Sequence, residues 1–350
     1  MPPATKKVKV SHPIVLGTVS GVPTSPDMKI DVFEAEFHVH SHALKLYSAY
    51  FQKFLDPPNK PPRPEAPCGA FKYNWVTVVD EGGSSWYLSD SSAFPDGPPA
   101  TTDFTGEKTQ EMEAFAKLLS AIYGEPYHLR DVDQFAELTN LAEYYLALPA
   151  VSRSLDGLFH RCPEFTELVE FESLRLLPLA AKLKHAVLFK DCVLFLAAPY
   201  EDPVFDRLED SELKQIVKVA HQRLVETAER LIWNIFIARH TGEDEDQNDV
   251  RKCLDRVFPN LDGWSTGNYG KVDFLRHMEQ EPLPHTPELT SSFHEDLYAI
   301  VQNNSILVRG IEIKDLDALE DDRQKQNLYS AKIEDKDLPW VVKESSGEQA

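Results

Sequence analysis

The chain has little cysteine, and the few cysteines that it has stand far apart. Only four occur in 350 residues, at Cys68, Cys162, Cys192 and Cys253. No two of them have the spacing of zinc ligands or of a redox motif. Scattered cysteines are typical of proteins in reducing compartments. We therefore expect free thiols, no structural metal and an intracellular location, in the cytoplasm or the nucleus.

Positive charge is also scarce. The chain carries 36 basic and 57 acidic residues, a net charge of −21. Acidic residues outnumber basic ones in both halves of the chain: positions 1–160 contain 13 basic and 20 acidic residues, and the rest contains 23 and 37. Nucleic acids and anionic membranes are bound by basic surfaces, because their phosphates are negatively charged. The composition predicts that neither of them is a partner.

Long hydrophobic runs are missing as well. The longest apolar stretch, residues 186–200, is interrupted by Lys190 and Asp191, whereas a membrane-spanning helix needs about 20 apolar residues. The basic run Lys6-Lys7-Val8-Lys9 is followed by no apolar region, so we expect no signal peptide. These lysines fit either a minimal nuclear-import pattern or a solvated start of the chain.

The common catalytic signatures are not found in the sequence: it has no nucleophile elbow, metalloprotease helix or kinase motif. We therefore expect no enzymatic activity, no catalytic residue and no cofactor. The glycine-rich run at residues 263–271 fails the phosphate-loop pattern, because Ser265 stands where the first glycine belongs. The acidic run at residues 244–249 fails the calcium-loop pattern, because Asp249 stands where the glycine belongs. We interpret the first as a turn and the second as a solvated linker.

Three alternating histidines, His38, His40 and His42, are the one pattern that suggests a metal site. Imidazole is a common zinc ligand, but no cluster of cysteines or carboxylates accompanies these histidines in the sequence. The alternative is that His40 has a structural place and that the other two lie on the surface. We predict no metal site here.

The most informative segment is residues 37–55, where the hydrophobic period changes. Phe37 and Val39 alternate with polar neighbours, which predicts a strand with one buried face. From Ser41 onward the apolar residues recur at steps of three and four, which predicts an amphipathic helix with Ser41 as its N-cap. Asp56-Pro57-Pro58 ends this helix, because proline lacks the amide donor. Its apolar stripe consists of Leu44, Tyr47, Phe51, Phe54 and Leu55.

This segment resembles the start of a BTB/POZ domain. The family's pattern is Phe-x-Val-His, then a leucine, a serine, a Tyr-Phe pair and an apolar pair at set spacings. The matching residues here are Phe37, Val39, His40, Leu44, Ser48, Tyr50, Phe51, Phe54 and Leu55. Ser41 stands where lysine is frequent in the family. The resemblance implies that these signature residues are mostly core positions.

Later blocks of the chain support the resemblance. Residues 115–124 are similar to the family's later helix with its Ile-Tyr ending, here Ile122-Tyr123. Residues 132–145 are similar to the closing helices, with a Leu-Ala-x-x-Tyr core. The resemblance implies an α+β fold over residues 13–160, in which a small β-sheet is capped by α-helices.

Several features enlarge this module beyond the compact family form. Residues 1–12 are predicted to be a flexible start. Residues 14–16 and 28–33 are predicted to be strands of a long opening hairpin, and residues 71–80 have the composition of a further strand. Proline-rich inserts near residues 56–70 and 89–103 are expected to form surface loops.

The remainder of the chain is predicted to be all-α. One helical face can be followed for more than 20 residues, from Leu213 to Ile235. We divide this region into a helical extension, an acidic linker, a helical C-terminal region and a tail, at residues 165–240, 241–250, 251–342 and 343–350. A helical extension of this kind is common in the family that the first half resembles.

The resemblance implies a protein–protein interaction module. BTB/POZ domains often form homodimers through their first helix and N-terminal strand, so Ala43, Leu46, Tyr47 and Tyr50 are candidates for a dimer surface. The alternative is that most of these residues fill the module's own core, which is what we expect for Tyr50. Family members often recruit cullin-type ubiquitin ligases through a later helix and the loop before it, here residues 103–112. We therefore expect a substrate adaptor for such a ligase. The alternative is an oligomeric scaffold or a transcription-linked regulator that recruits no ligase.

Overall fold

The computed structural model describes ten stretches of the chain: residues 14–15, 25–57, 71–97, 99–200, 203–240, 251–252, 270–280, 283, 289–308 and 327–341. The chain divides into two compact units, Met1–Phe165 and Thr166–Ala350, close to the boundary predicted at residue 160. The predicted flexible start, most of the first proline-rich insert, the acidic linker, most of the glycine-rich run and the tail lie outside the described residues.

A mixed sheet forms one layer of the first unit. The strands are β1 (Ile14–Val15), β2 (Met28–Val32), β3 (Ala35–Val39), β4 (Tyr73–Val79) and β5 (Trp86–Asp90). Their order is β1-β3-β2-β4-β5. The pairs β2–β3 and β4–β5 are antiparallel, whereas β1–β3 and β2–β4 are parallel. In the centre of the sheet Ile30 lies opposite Phe37 on one side and Trp75 on the other.

The period-two pattern of residues 36–39 is confirmed, because Phe37 and Val39 are fully buried while Glu36 and His38 are partly exposed. The opening hairpin was predicted between the wrong strands. The hairpin joins β2 and β3 through a tight turn at Phe33, and β1 instead pairs in parallel with the far edge of β3. Since β3 and β4 occupy both edges of β2, no edge of β2 is left for β1 to pair with.

In the described part of the first unit, α1 (Ser41–Tyr47) and α2 (Ala49–Leu55) lie between β3 and β4. Three further helices follow β5: α3 (Lys108–Tyr123), α4 (Val132–Tyr144) and α5 (Leu148–Arg161). The single helix predicted after Ser41 is therefore two helices, separated by Ser48 in extended backbone. Ser41 is not the N-cap of α1. That position belongs to His40, and the Asp27 carboxylate accepts hydrogen bonds from the Ser41 amide and hydroxyl, both at 2.6 Å.

The second predicted insert is not wholly a loop. Ser89 and Asp90, at its start, are the last residues of β5, and a short 3-10 turn follows at Ser91–Ala93. Beyond it, Thr105 donates its amide and hydroxyl hydrogens to the Gly83 carbonyl, at 2.8 and 3.0 Å. Gly83 has a positive φ of 68°, and a Cβ atom there would lie 2.3 Å from the Asp103 carbonyl oxygen. Glycine is required at this contact.

The described part of the second unit is helical. After α6 (Pro163–Leu183), which begins in the first unit, come α7 (Ala186–Ala197), α8 (Ser211–His240), α9 (Lys271–Gln280) and α10 (Ser291–Val301). The long helix predicted around residues 213–235 is confirmed as part of α8, and its predicted stripe is largely buried. None of the helices in the described residues has both the length and the apolar character that crossing a membrane requires.

A small polar cluster joins the two ends of the first proline-rich insert. The Lys45 ammonium group of α1 contacts the Asp56 carboxylate, which follows α2. Tyr73, the first residue of β4, donates its hydroxyl hydrogen to the same carboxylate at 2.6 Å. Hydrogen bonds from Lys45 and then from Tyr73 lower the pKa of Asp56 below its usual value. The cluster thereby holds together Asp56 and Tyr73, the residues on either side of the insert.

We expect Asp56→Asn to lower the free energy of unfolding by less than about 1 kcal/mol at neutral pH, because the pair is largely solvated. A lowered folded-state pKa means that the ionised carboxylate stabilises the fold above its unfolded-state pKa. The difference between the variant and the wild type should therefore shrink as the pH falls below about 4. Urea unfolding over a pH series measures this difference in the free energy of unfolding, and Asp96→Asn, at an exposed aspartate, is the control. A difference that is equal at pH 3 and pH 7 would contradict the role of this cluster.

Candidate functional site

The signature residues of the first unit lie mostly inside it. Phe37, Val39, Leu44, Phe51 and Ser48 are buried. Buried His40 hydrogen-bonds to the Tyr123 hydroxyl through its backbone amide at 2.7 Å and its Nδ1 atom at 3.1 Å. Tyr50 is half-buried.

The three alternating histidines have separate surroundings. His38 contacts the Glu36 carboxylate at 2.7 Å, His40 contacts Tyr123, and His42 is exposed at the start of α1. Across the part of the chain that the structure describes, no three His, Cys, Asp or Glu side chains are grouped so that they could hold a metal ion. The histidine pattern therefore carries no candidate site.

The candidate dimer residues of α1 differ in exposure. Ala43 is only 1% exposed, so its side chain fills the core of the first unit, which is the alternative stated for these residues, and it offers almost no surface to a partner. Leu46 is 60% exposed. Tyr47 is half-buried, with the Arg153 guanidinium group 4.5 Å from its ring centroid. Only Leu46 and Tyr47 can contribute side-chain surface to a partner.

A different apolar surface is the most conspicuous feature of the first unit. Side chains from α2, β5 and the end of α4 expose large apolar groups there, between 40% and 55% of each side chain apart from half-buried Tyr50. We call this surface the aromatic face, and it consists of Tyr50, Phe54, Tyr87, Tyr144 and Leu146. Exposed apolar patches of this kind mark interaction sites more often than scattered apolar residues do.

The aromatic face is contiguous around Tyr50. The centroid of the Tyr50 ring lies 4.7 Å from that of Phe54 and 5.8 Å from that of Tyr144. Its hydroxyl oxygen lies 3.5 Å from the carbonyl oxygen of Leu88, the neighbour of Tyr87 on β5. The Leu146 backbone lies against the start of α2, since its carbonyl accepts a hydrogen bond from the Ala49 amide at 3.4 Å.

A rigid layer of buried groups supports the aromatic face from below. The Phe51 and Tyr145 rings are parallel, with centroids 5.5 Å apart, and Tyr50 meets Tyr145 edge-on at 5.1 Å. Ser48 connects the same elements, because its hydroxyl donates to the Tyr145 carbonyl at 2.6 Å and accepts from the Phe51 amide at 3.2 Å. These contacts set the position of α2 against the end of α4.

Leu146 has an unusual backbone conformation, with a φ of 51°. It lies just beyond α4, where its amide bonds to the Glu143 carbonyl and the next amide, of Ala147, bonds to the Ala142 carbonyl. This helix ending normally uses glycine, since a bulky residue in the left-handed region costs about 1–2 kcal/mol. Leu146 offsets little of that cost by burial, because its side chain is 55% exposed.

Phe33 is an instructive contrast. It has the same φ of 51°, but its ring packs against Trp86 and Phe104, with centroids 5.4 and 4.9 Å away. The packing within the chain explains why a bulky residue is kept at that turn. Leu146 is 55% exposed, so burial explains its conformation less fully. Lys184, just beyond α6, ends its helix with the same pair of backbone bonds and a φ of 54°.

The electrostatics of the aromatic face are simple. Burial, followed by the neighbouring Tyr144, raises the pKa of Tyr50 to about 12, and burial raises the pKa of Tyr144. Both hydroxyls therefore stay protonated at physiological pH and can donate hydrogen bonds. The face is mainly apolar, with hydroxyl groups that can donate hydrogen bonds. One positive charge lies beside it, since the Lys53 ammonium group is 5.1 Å from the centroid of the Phe54 ring.

The sequence contained a weak signal for this surface. Tyr144 and Tyr145 are adjacent at the end of an amphipathic helix, so both cannot face the core. Their pattern nevertheless does not say which ring is exposed, or that α2 and β5 add further rings beside it.

The chain matches no protein-family model, and no curated protein sequence matches it. Its function has to be inferred from the residues and their geometry.

We expect Leu146→Asn to raise the free energy of unfolding by about 0.5–1 kcal/mol, because asparagine tolerates a positive φ far better than leucine. Chemical denaturation measures this change. Phe54→Asn is the matched control, since it also removes an exposed apolar side chain of the aromatic face but lies inside a helix. If both variants lose stability to the same extent, the backbone of Leu146 is not strained.

Proposed function

We propose that the first unit is a BTB/POZ-like module that binds other proteins, and that the aromatic face is its main contact surface. The observation that carries this proposal is Leu146, a bulky residue with a positive φ that is half exposed among four other aromatic-face residues. Tyrosine and phenylalanine are enriched in the energetically important centres of protein interfaces. The chain has no catalytic role in this proposal.

The layout of the first unit supports the resemblance on which the module rests. A strand leads directly into two short helices at residues 35–55, and most of the signature residues in this stretch are buried. A small sheet and packed helices fit the α+β fold that the resemblance implies. Strand β5 contributes Tyr87 to the aromatic face, so the sheet as well as the helices takes part in this surface.

A substrate adaptor for a cullin-type ubiquitin ligase is the specific function that we favour. The family resemblance implies this class of partner, and an exposed apolar face can receive the apolar side of a partner's helix. The predicted loop at residues 103–112 is a loop only as far as residue 107, because α3 begins at Lys108. The bonds between Thr105 and Gly83 hold this shorter loop in place, so it can present a fixed surface before α3. The second unit would then be free to hold the substrate.

An oligomeric scaffold or transcription-linked regulator without ligase recruitment is the second candidate. Leu46, which is 60% exposed on α1, favours self-association, because a leucine so exposed gains burial only from another molecule. Tyr47 and Arg153 lie beside it and would extend such a surface. The two functions can be separated by experiment, because they use different residues.

We expect purified chain to bind the amino-terminal domain of one cullin class, and Tyr144→Ser to weaken that binding more than about tenfold. Calorimetric titration with each cullin domain in turn measures the affinity. Tyr298→Ser is the matched control, since it removes an equally exposed tyrosine from the second unit. Failure of every cullin domain to bind would leave only the scaffold function. Equal losses of affinity in the two variants would show that the aromatic face is not the contact surface.

For self-association we expect a dimer whose dissociation constant rises more than about tenfold in Leu46→Glu, since burying an unpaired carboxylate is costly. Analytical ultracentrifugation over a range of concentrations measures it. Phe171→Glu, at another exposed apolar residue, is the control. A monomer mass at all concentrations would contradict the dimer.

A further inference from the structure

The second unit contains an open groove along α8. Two adjoining cavities of about 380 and 210 Å³ share Ala220, Arg223 and Lys332 in their walls. The walls of the larger cavity include four cationic side chains, and those of the smaller include four apolar side chains beside four polar or charged ones. We call this feature the basic groove, and its principal residues are Ile216, Val219, Arg223, Arg230, Lys332 and Lys336.

The charge of the basic groove is opposite to that of the chain. Its walls carry four cations against three anions, in a protein of net charge −21. The three anions, Asp296, Asp337 and Glu334, each pair with one of the cations, at 2.9, 3.5 and 2.6 Å. Lys332 has no ion pair with any described residue and is exposed to solvent.

The existing ion pairs do not close the groove to an acidic ligand. Exposed pairs of this kind contribute little stability, because water screens them. The guanidinium groups of Arg223 and Arg230 are more than half exposed, and each can bind a further carboxylate through the donors of its planar fork. An incoming carboxylate would also neutralise Lys332.

The dimensions of the basic groove suit an extended peptide. From Ile216 to Arg230 the helix α8 rises about 21 Å, at about 1.5 Å per residue. An extended chain of about six residues covers this length. The two ends of the groove require different side chains of the peptide. An apolar side chain suits the end at Ile216 and Val219, and acidic side chains suit the cationic part from Arg223 to Arg230.

The wall opposite α8 is held firmly before any ligand binds. The Leu328 amide donates to the Ala198 carbonyl at 2.9 Å, and the Asn304 amide donates to the Tyr329 carbonyl at 2.8 Å. Arg276, which is 3% exposed, donates to the Asn327 carbonyl at 2.7 Å. These bonds fix the chain that leads to Lys332, so binding costs less ordering of the protein.

We propose that the basic groove binds an extended segment of a partner protein, in which an apolar side chain is followed within a few residues by acidic side chains. The apolar side chain lies against Ile216 and Val219, and the carboxylates lie against Arg223, Lys332 and Arg230. This site lies wholly within the second unit and does not depend on the function proposed for the first.

Fluorescence anisotropy with the full-length chain tests the proposal. The probe is a labelled seven-residue peptide with one leucine followed by three glutamates, and the comparison peptide has glutamine in place of each glutamate. We expect the acidic peptide to bind with a dissociation constant below about 100 µM and more weakly as salt is added. Lys332→Gln and Arg223→Gln should each weaken binding at least about threefold, and together about tenfold or more.

Lys218→Gln is the matched control, because Lys218 is an exposed lysine of the same helix that does not line the groove. Equal binding of the acidic and glutamine peptides, or equal effects of Lys218→Gln and Lys332→Gln, would overturn the proposal. Neutralising the acidic run at residues 243–246 of the chain tests the other occupant. If that change tightens peptide binding about tenfold, the groove belongs to the chain's own acidic run and not to a partner.

Discussion

The hydroxyl group of Ser48 makes the interaction on which the first unit most depends. It accepts a hydrogen bond from the Phe51 amide, which starts α2, and donates one to the Tyr145 carbonyl, at the end of α4. A buried side chain with both bonds satisfied fixes the two elements in one arrangement. The Tyr50 ring of α2 meets the Tyr144 ring of α4 because these two elements are held together. The aromatic face is thus a consequence of a core contact.

The two candidate surfaces differ in how the fold produces them. The aromatic face exposes apolar groups and includes Leu146, whose backbone conformation costs free energy. The basic groove concentrates cations between α8 and a well-anchored segment of a strongly acidic chain. An apolar surface for one protein and a charged groove for a peptide would give the two units different partners.

The local predictions succeeded where the sequence period alone decides the structure. The strand at residues 35–39, the helical stripe of α8 and the buried state of Phe37, Val39 and Leu44 follow from spacing, since burial of one face is enough to produce that spacing. The errors concern choices between competing partners. The strand at residues 14–15 could pair with β2 or β3, Ser41 could cap its own helix or bond to Asp27, and Ala43 could face either side of a short helix.

The sequence by itself determined the change from strand to helix in the first unit, the helical character of the second, and the acidity of the whole chain. Each depends on side chains that are near one another along the chain. Only the tertiary structure decided that residues as distant as Phe54, Tyr87 and Leu146 form one surface, and that Arg223 and Lys332 line one groove. Contacts between distant residues depend on how the elements pack, and hydrophobic spacing within an element carries no information about which other element covers it.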